Sequence, residues 1–127
     1  MARMIGIAGV QMSVIPWDSE ATVNKMENVA DQISQNFPWV NMIVYHELVV
    51  SGVAQFVATP SPYPWSEIAQ PIPGPITDRL CQISKRLGKW LIPGSMYESD
   101  GDKIYNTALA ISPRGEIVAR YRKLFPW

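Results

Sequence analysis

One pattern constrains this chain more than any other. An apolar run, an amphipathic helical stretch and a second apolar run follow one another through its first third. Ile5 to Met12 (IGIAGVQM) has no polar alternation, as in a strand buried on both faces. Turn residues Pro16-Trp17-Asp18-Ser19 come next. Val23, Met26, Val29, Ala30, Ile33 and Phe37 then recur at helical spacing, with Asn24, Lys25, Glu27 and Asp31 between them and Pro38 closing the run. Met42-Ile43-Val44-Tyr45 is a second buried strand. A strand, a helix and a strand within about 40 residues predict a βαβ unit, with parallel strands and a right-handed crossover.

The pattern lapses from Ser51 to Gly74. Six of the 11 prolines lie between Pro60 and Pro75, so this segment reads as a long loop, and long loops in compact domains tend to carry function. Phe56, Tyr63 and Trp65 favour a loop that packs on something. Pro75 suits the first position of a second helix, Ile76, Leu80, Ile83 and Leu87 form its apolar stripe, and Gly88 is a left-handed stop. Trp90-Leu91-Ile92 is a third strand ending at Pro93-Gly94. Ser99 to Asp102 is a turn. Ile104 to Ile111 and Glu116 to Tyr121 form an antiparallel pair around Ser112-Pro113-Arg114-Gly115, which fits a type I turn. The predicted class is α/β, with a parallel core, both helices on one side of the sheet and an antiparallel extension.

Composition narrows the function classes. With 127 residues the chain suffices for one domain. Eleven basic and 11 acidic residues leave no net charge, which argues against nucleic-acid binding or a polybasic membrane role. The single cysteine and single histidine exclude a disulfide framework and a multi-cysteine zinc site. No apolar run approaches the roughly 18 residues that cross a bilayer, and the first residues lack a signal-peptide layout. A soluble, cytoplasmic protein is expected. Charged residues are only 17% and there are 5 tryptophans, against a usual charged share of about 25%. That deficit predicts apolar surface covered by a partner or by further chain. The apolar ending Leu124-Phe125-Pro126-Trp127 points the same way.

Few residues have the chemistry for catalysis. Glu47 lies just beyond the second strand, at the sheet edge where open α/β folds bind ligands. It suits a general base, or it is a surface acid in a loop. Lys123 ends a basic group with Arg114, Arg120 and Arg122. It suits the stabilisation of a developing oxyanion, or it guards an edge strand against aggregation. Cys81, beside Leu80 in the second helix, reads as packing. His46 reads as neither a metal ligand nor a catalytic base. No phosphate loop or dinucleotide fingerprint occurs.

Several segments, taken in order, carry a resemblance: the strand ending Val10-Gln11-Met12; Tyr45-His46-Glu47-Leu48 with Ser51-Gly52; Ile72-Pro73-Gly74-Pro75; Tyr105-Asn106-Thr107-Ala108; Pro113-Arg114-Gly115-Glu116; and Tyr121-Arg122-Lys123. The chain resembles the N-terminal part of a nitrilase-superfamily carbon–nitrogen hydrolase over nearly its whole length. The family pattern has Pro before the glutamate, where this sequence has His46.

The resemblance implies the N-terminal part of a nitrilase-like αββα sandwich, with residues 1–127 as a single, incomplete domain. It implies Glu47 as general base, Lys123 as stabiliser of the tetrahedral intermediate, and a nucleophilic cysteine beyond the lysine and outside this chain. It implies no metal or other cofactor. The substrate would be a small amide or nitrile and the assembly a homo-oligomer. Phe125-Pro126-Trp127 leans towards the aliphatic-amidase and formamidase branch, with Trp127 as a substrate-binding candidate. On this reading the 127 residues alone are inactive. The alternative is a truncated, non-catalytic member serving as an interaction chain.

Overall fold

The structure is a computed structural model. It describes residues 4–52 and 64–125, apart from the side chain of Trp65. Phe56 and Tyr63 of the Pro-rich segment, and Trp127, lie outside the described residues. The elements in order are β1 (Gly6–Val10), α1 (Ser19–Asn36), β2 (Val40–Tyr45), α2 (Trp65–Ile68), α3 (Pro75–Leu87), β3 (Trp90–Ile92), β4 (Ser95–Asp100), β5 (Lys103–Ile111) and β6 (Ile117–Arg122).

Local chemistry sets the helix ends. Asp18 caps α1, its Oδ1 accepting from the Ala21 amide at 2.8 Å, which satisfies one of the first-turn donors that lack an intrahelical partner. Pro75 occupies the first turn of α3, and the Thr77 hydroxyl accepts from the Gly74 amide at 2.8 Å. Gly88 ends α3 in the left-handed region, φ 63°. In both helices the apolar stripe faces the sheet.

β1, β2 and β3 are parallel neighbours, and β5 pairs antiparallel with β3, β4 and β6. Thr107 and Ala108 pair with Met96 and Ser95 of β4 on one side and with Arg122 and Tyr121 of β6 on the other. Ile111 likewise meets Leu91 of β3 and Ile117 of β6. Hence β3 and β4 lie along one edge of β5, interrupted at Pro93-Gly94, and β6 lies along the other. Being antiparallel to β5, β6 runs in the same direction as β1, β2 and β3. The Ser112–Gly115 turn between β5 and β6 is closed by the Gly115 amide donating to the Ser112 carbonyl at 2.8 Å.

The two sheet faces differ. On one, Ile43, Leu91, Leu109 and Ile111 pack against Val23, Met26 and Ala30 of α1 and Ile76, Leu80 and Ile83 of α3, all buried. Burying a side chain of this size contributes about 1.5–3 kcal/mol. The helices contact each other on that side, where Arg79 and Arg86 pair with Glu27 at 2.9 Å. These partly exposed pairs contribute little, about 0–1 kcal/mol each. The opposite face carries Ile7, Met42, Val44, Ile92, Ala108 and Tyr121 by strand alternation. No described helix covers it, and Ile7 is 55% exposed.

The sheet therefore has the predicted parallel core, one helix layer and an antiparallel extension. It differs from the sequence reading by one strand and one short helix. β4 was not expected, because Ser-Met-Tyr-Glu-Ser-Asp shows no apolar alternation. Its buried face carries Met96 and the carboxylate Glu98, which is paired rather than apolar.

Candidate active site

Glu47 and Lys123 come together at the edge formed by the C-terminal ends of β2 and β6. Lys123 Nζ donates to Glu47 Oε1 at 2.9 Å. Asn106 Nδ2 donates to the same oxygen at 2.7 Å, and the Asn106 carbonyl accepts from the Lys123 amide at 2.9 Å. Asn106 thus ties the lysine's backbone and the glutamate's side chain to β5. The sequence reading used Asn106 only as part of a motif. It lies opposite Tyr97 in the β4–β5 ladder, and strand alternation from the inward Leu109 and Ile111 turns it to the open face.

The turn after β2 is held by side chains from β4 and from its own end. The Leu48 amide donates to Ser95 Oγ at 2.9 Å, and the Tyr97 amide to Ser51 Oγ at 2.7 Å. Leu48 sits at φ 57°, a conformation costing a non-glycine residue on the order of 1–3 kcal/mol. Gly94 passes so close beneath the turn that a Cβ there would stand 1.9 Å from the His46 carbonyl oxygen. The segment that presents Glu47 is therefore strained and clamped from below.

The three polar groups border a cleft of about 320 Å³ whose other walls include Ile92, Ala108 and Tyr121. It opens on the helix-free face. A larger depression of about 710 Å³ lies by the start of α1, but the titratable groups lining it are the carboxylates Asp18, Glu20 and Glu67. Among the described residues that line it there is no cation to pair with them.

The hydrogen bond from Lys123 holds the Glu47 carboxyl below its ordinary pKa. Burial opposes this, and the Asn106 bond and the lysine's charge reinforce it. The lysine prevails, because the Glu47 side chain is 48% exposed and desolvation is correspondingly weak. The carboxylate is ionised at neutral pH and ready to accept a proton. Burial also pushes the Tyr97 phenol up, and the Glu47 charge adds to that effect while Lys123 opposes it.

The remaining candidates lie elsewhere. Cys81, in α3, packs against the helix-side core, so the sheet separates it from the cleft. Burial, then Asp78, pushes its thiol pKa up, which disfavours a nucleophilic thiolate. His46 engages backbone carbonyls, with Nε2 2.8 Å from the Met12 oxygen and Nδ1 3.0 Å from the Glu47 oxygen. Trp127 lies outside the described residues. Among the described residues no three metal-ligating side chains cluster, and no helix is long and apolar enough to cross a membrane.

The chain is similar to several known proteins. An omega-amidase from Xenopus tropicalis is 42% identical over 78 residues, covering 56% of this chain and 28% of its own length. A formamidase from Bacillus cereus is 29% identical over 113 residues, covering 87% of this chain and 32% of its own. The chain thus spans about a third or less of the curated relatives it matches. Among solved structures, an amidase from Nesterenkonia sp. superposes with a TM-score of 0.75 at 21% identity, over 97% of this chain and 44% of that one. A carbon–nitrogen hydrolase from Helicobacter pylori G27 gives 0.79 at 19% identity, over 95% and 40%. The fold is that of the nitrilase-like αββα sandwich, of which this chain has one sheet and one helix layer. The profile of the carbon–nitrogen hydrolases matches residues 6–127, and the chain belongs to that family.

Proposed function

We propose that these 127 residues contribute the base and the cation of an amide-hydrolysing site whose thiol nucleophile comes from outside them. The observation that carries this reading is the Lys123–Glu47 contact of 2.9 Å, with Asn106 on the same carboxylate oxygen. A buried structural pair would serve no such purpose here, because this one lines an open cleft. The matched omega-amidase and formamidase support an amide as substrate.

The chemistry runs in two halves. Glu47 takes the proton of the cysteine thiol, and the sulfur attacks the amide carbonyl carbon. Lys123 offsets the charge on the tetrahedral oxyanion. Collapse breaks the C–N bond, the leaving nitrogen takes the proton back from Glu47, and a thioester remains. Water then attacks the thioester with Glu47 as base. The products are the carboxylic acid and the free thiol. With Glu47 Oε1 engaged by two donors, Oε2 is the oxygen through which the proton moves. The apolar walls Ile92 and Ala108 suit a short uncharged acyl group, and Trp127 is a further substrate-binding candidate. The whole protein would be a homo-oligomer acting on small amides, and residues 1–127 alone would be inactive.

The test is ammonia release from short aliphatic amides, with the acyl-enzyme trapped by rapid quench and weighed. Turnover by the whole protein with a mass increase equal to the acyl group is the expected result. Turnover by residues 1–127 alone, or turnover without any acyl-enzyme, would defeat the reading.

A further inference from the structure

The helix-side face of the sheet holds a second charge cluster that the proposed chemistry does not use. Glu98 of β4 is 1% exposed. Its Oε2 accepts from Thr107 Oγ1 at 2.5 Å and from Arg122 Nε at 3.1 Å. Its Oε1 accepts from Arg122 Nη2 at 2.5 Å and from Arg120 Nη2. Arg122 also donates to Asp100 Oδ2 at 2.6 Å and lies 3.9 Å over the Tyr105 ring. Arg120 Nη1 donates to the Ile72 carbonyl at 3.1 Å.

Burying a carboxylate is costly, and replacing a whole buried ion-pair cluster by apolar residues of similar volume is often neutral or stabilising. The two-atom fork from Arg122, however, fixes a direction as well as a distance. The residue so fixed immediately precedes Lys123. At its end the β6 backbone is also held by the β5 ladder, through Thr107 opposite Arg122 and the Lys123 amide on the Asn106 carbonyl. Among the described residues β6 pairs with β5 alone, and Val118 and Tyr121 are exposed. Neighbouring strand residues point to opposite faces. Anchoring Arg122 on the helix side therefore sets where Lys123 leaves the backbone on the cleft side.

We propose that Glu98 is a positioning residue that holds Lys123 against Glu47 by way of the Arg122 guanidinium. The inference rests on the reading of Glu47 and Lys123 as base and cation, and deepens it. Glu98 itself touches no reacting group. Its influence travels through the backbone of β6 across the thickness of the sheet.

The experiment follows the Glu47 side-chain carboxyl by carbon-13 NMR during a pH titration of the 127-residue chain. Lys123→Ala sets the scale, since losing the lysine raises the Glu47 midpoint. Glu98→Gln is expected to raise it by at least half as much, and the double variant Glu98→Gln/Lys123→Ala no further than Lys123→Ala alone. Direct electrostatics has the opposite sign, because removing a negative charge lowers a neighbouring carboxyl's midpoint. Arg122→Lys keeps the charge but loses the fork, and it too should raise the midpoint. It decides the matter if Glu98→Gln fails to fold. An unchanged or lowered midpoint in a folded Glu98→Gln or Arg122→Lys chain overturns the proposal. A raised midpoint supports the positioning even if Lys123→Ala in the whole protein kept full turnover, an outcome that would refute only the catalytic reading.

Discussion

Lys123 Nζ stands 2.9 Å from Glu47 Oε1 although the two residues are 76 positions apart. Nothing local in the sequence joins them. They meet because β2 and β6 run in the same direction in one sheet and each residue lies just past the end of its strand. β5 stands between β6 and the parallel core, and from it Asn106 bonds to both residues. A shift of β6 by one residue would turn Lys123 to the helix side.

In the whole protein, Glu47→Gln keeps the shape of the carboxyl and removes its ability to take a proton. On the proposed chemistry, Lys123→Ala removes the cation facing the intermediate. Each should lower kcat by on the order of 10²–10³-fold or more, the scale set by losing one preorganised group. Steady-state ammonia release checks this. Full turnover in Glu47→Gln would sink the assignment.

The pair also makes stability depend on pH. The folded-state pKa of Glu47 lies below its ordinary value, chiefly through the Lys123 hydrogen bond. Its stabilising effect is therefore fully present above the unfolded pKa and is lost as pH falls through the folded one. Both side chains are substantially exposed, so solvent screens the effect and its size is modest. Urea midpoints collected down through the acid range should fall less steeply for Lys123→Ala than for the parent chain. Parallel curves for the two would contradict the lysine as the dominant cause.

Gly94 is irreplaceable on two counts. Its φ of 71° is left-handed, and an added Cβ would lie 1.9 Å from the His46 carbonyl oxygen, a backbone atom that cannot swing aside. Gly94→Ala should cost more than the ~1–3 kcal/mol typical of a strained backbone alone. The lost contact between β3–β4 and the Glu47 turn should also disturb the cleft. Denaturant unfolding measures the first effect. An unchanged midpoint would mean that the turn can lift away freely.

Cys81 provides a contrasting case. It sits in α3 against the helix-side core, and burial followed by Asp78 holds its thiol protonated. Cys81→Ala should lower stability by about 1 kcal/mol, as for a partly buried side chain losing one sulfur. Turnover of the whole protein should barely change. Alkylation of Cys81 by iodoacetamide at neutral pH should be slow. Loss of turnover in a folded Cys81→Ala protein would bring this cysteine into the chemistry.

The sequence revealed those parts of the fold governed by local patterns. The period-3.6 stripes of α1 and α3, the Pro75 start and the Gly88 stop came directly from residue type, as did the apolar runs of β1, β2 and β3. Glu47 and Lys123 were legible by resemblance, because the short motifs around them keep their order. β4 was hidden because its inward face carries Glu98, whose partners Arg120 and Arg122 lie more than 20 positions away. The role of Asn106 was hidden for a similar reason, since the Glu47 carboxylate it donates to lies 59 positions away. The pKa balance at Glu47 was also out of reach, because it turns on exposure, which a linear pattern does not encode.

The helix-free face of the sheet yields the last prediction. By strand alternation it carries Ile7, Met42, Val44 and Ile92 on the parallel strands and Ala108 and Tyr121 on the antiparallel ones. Ile7 is 55% and Tyr121 59% exposed. A contiguous apolar sheet face left to water associates, since burying it releases about 25 cal/mol per Å² and little charge opposes the approach. Residues 1–127 alone should therefore sediment as dimers or larger species, with the fraction rising with concentration. Ile7→Glu would place a charge at the centre of one edge of that face. It should shift the population towards monomer without lowering the unfolding midpoint, because Ile7 contributes nothing to the helix-side core. A concentration-independent monomer for the parent chain would show that this face is not sticky. Association undiminished in Ile7→Glu would instead place the contact on another surface.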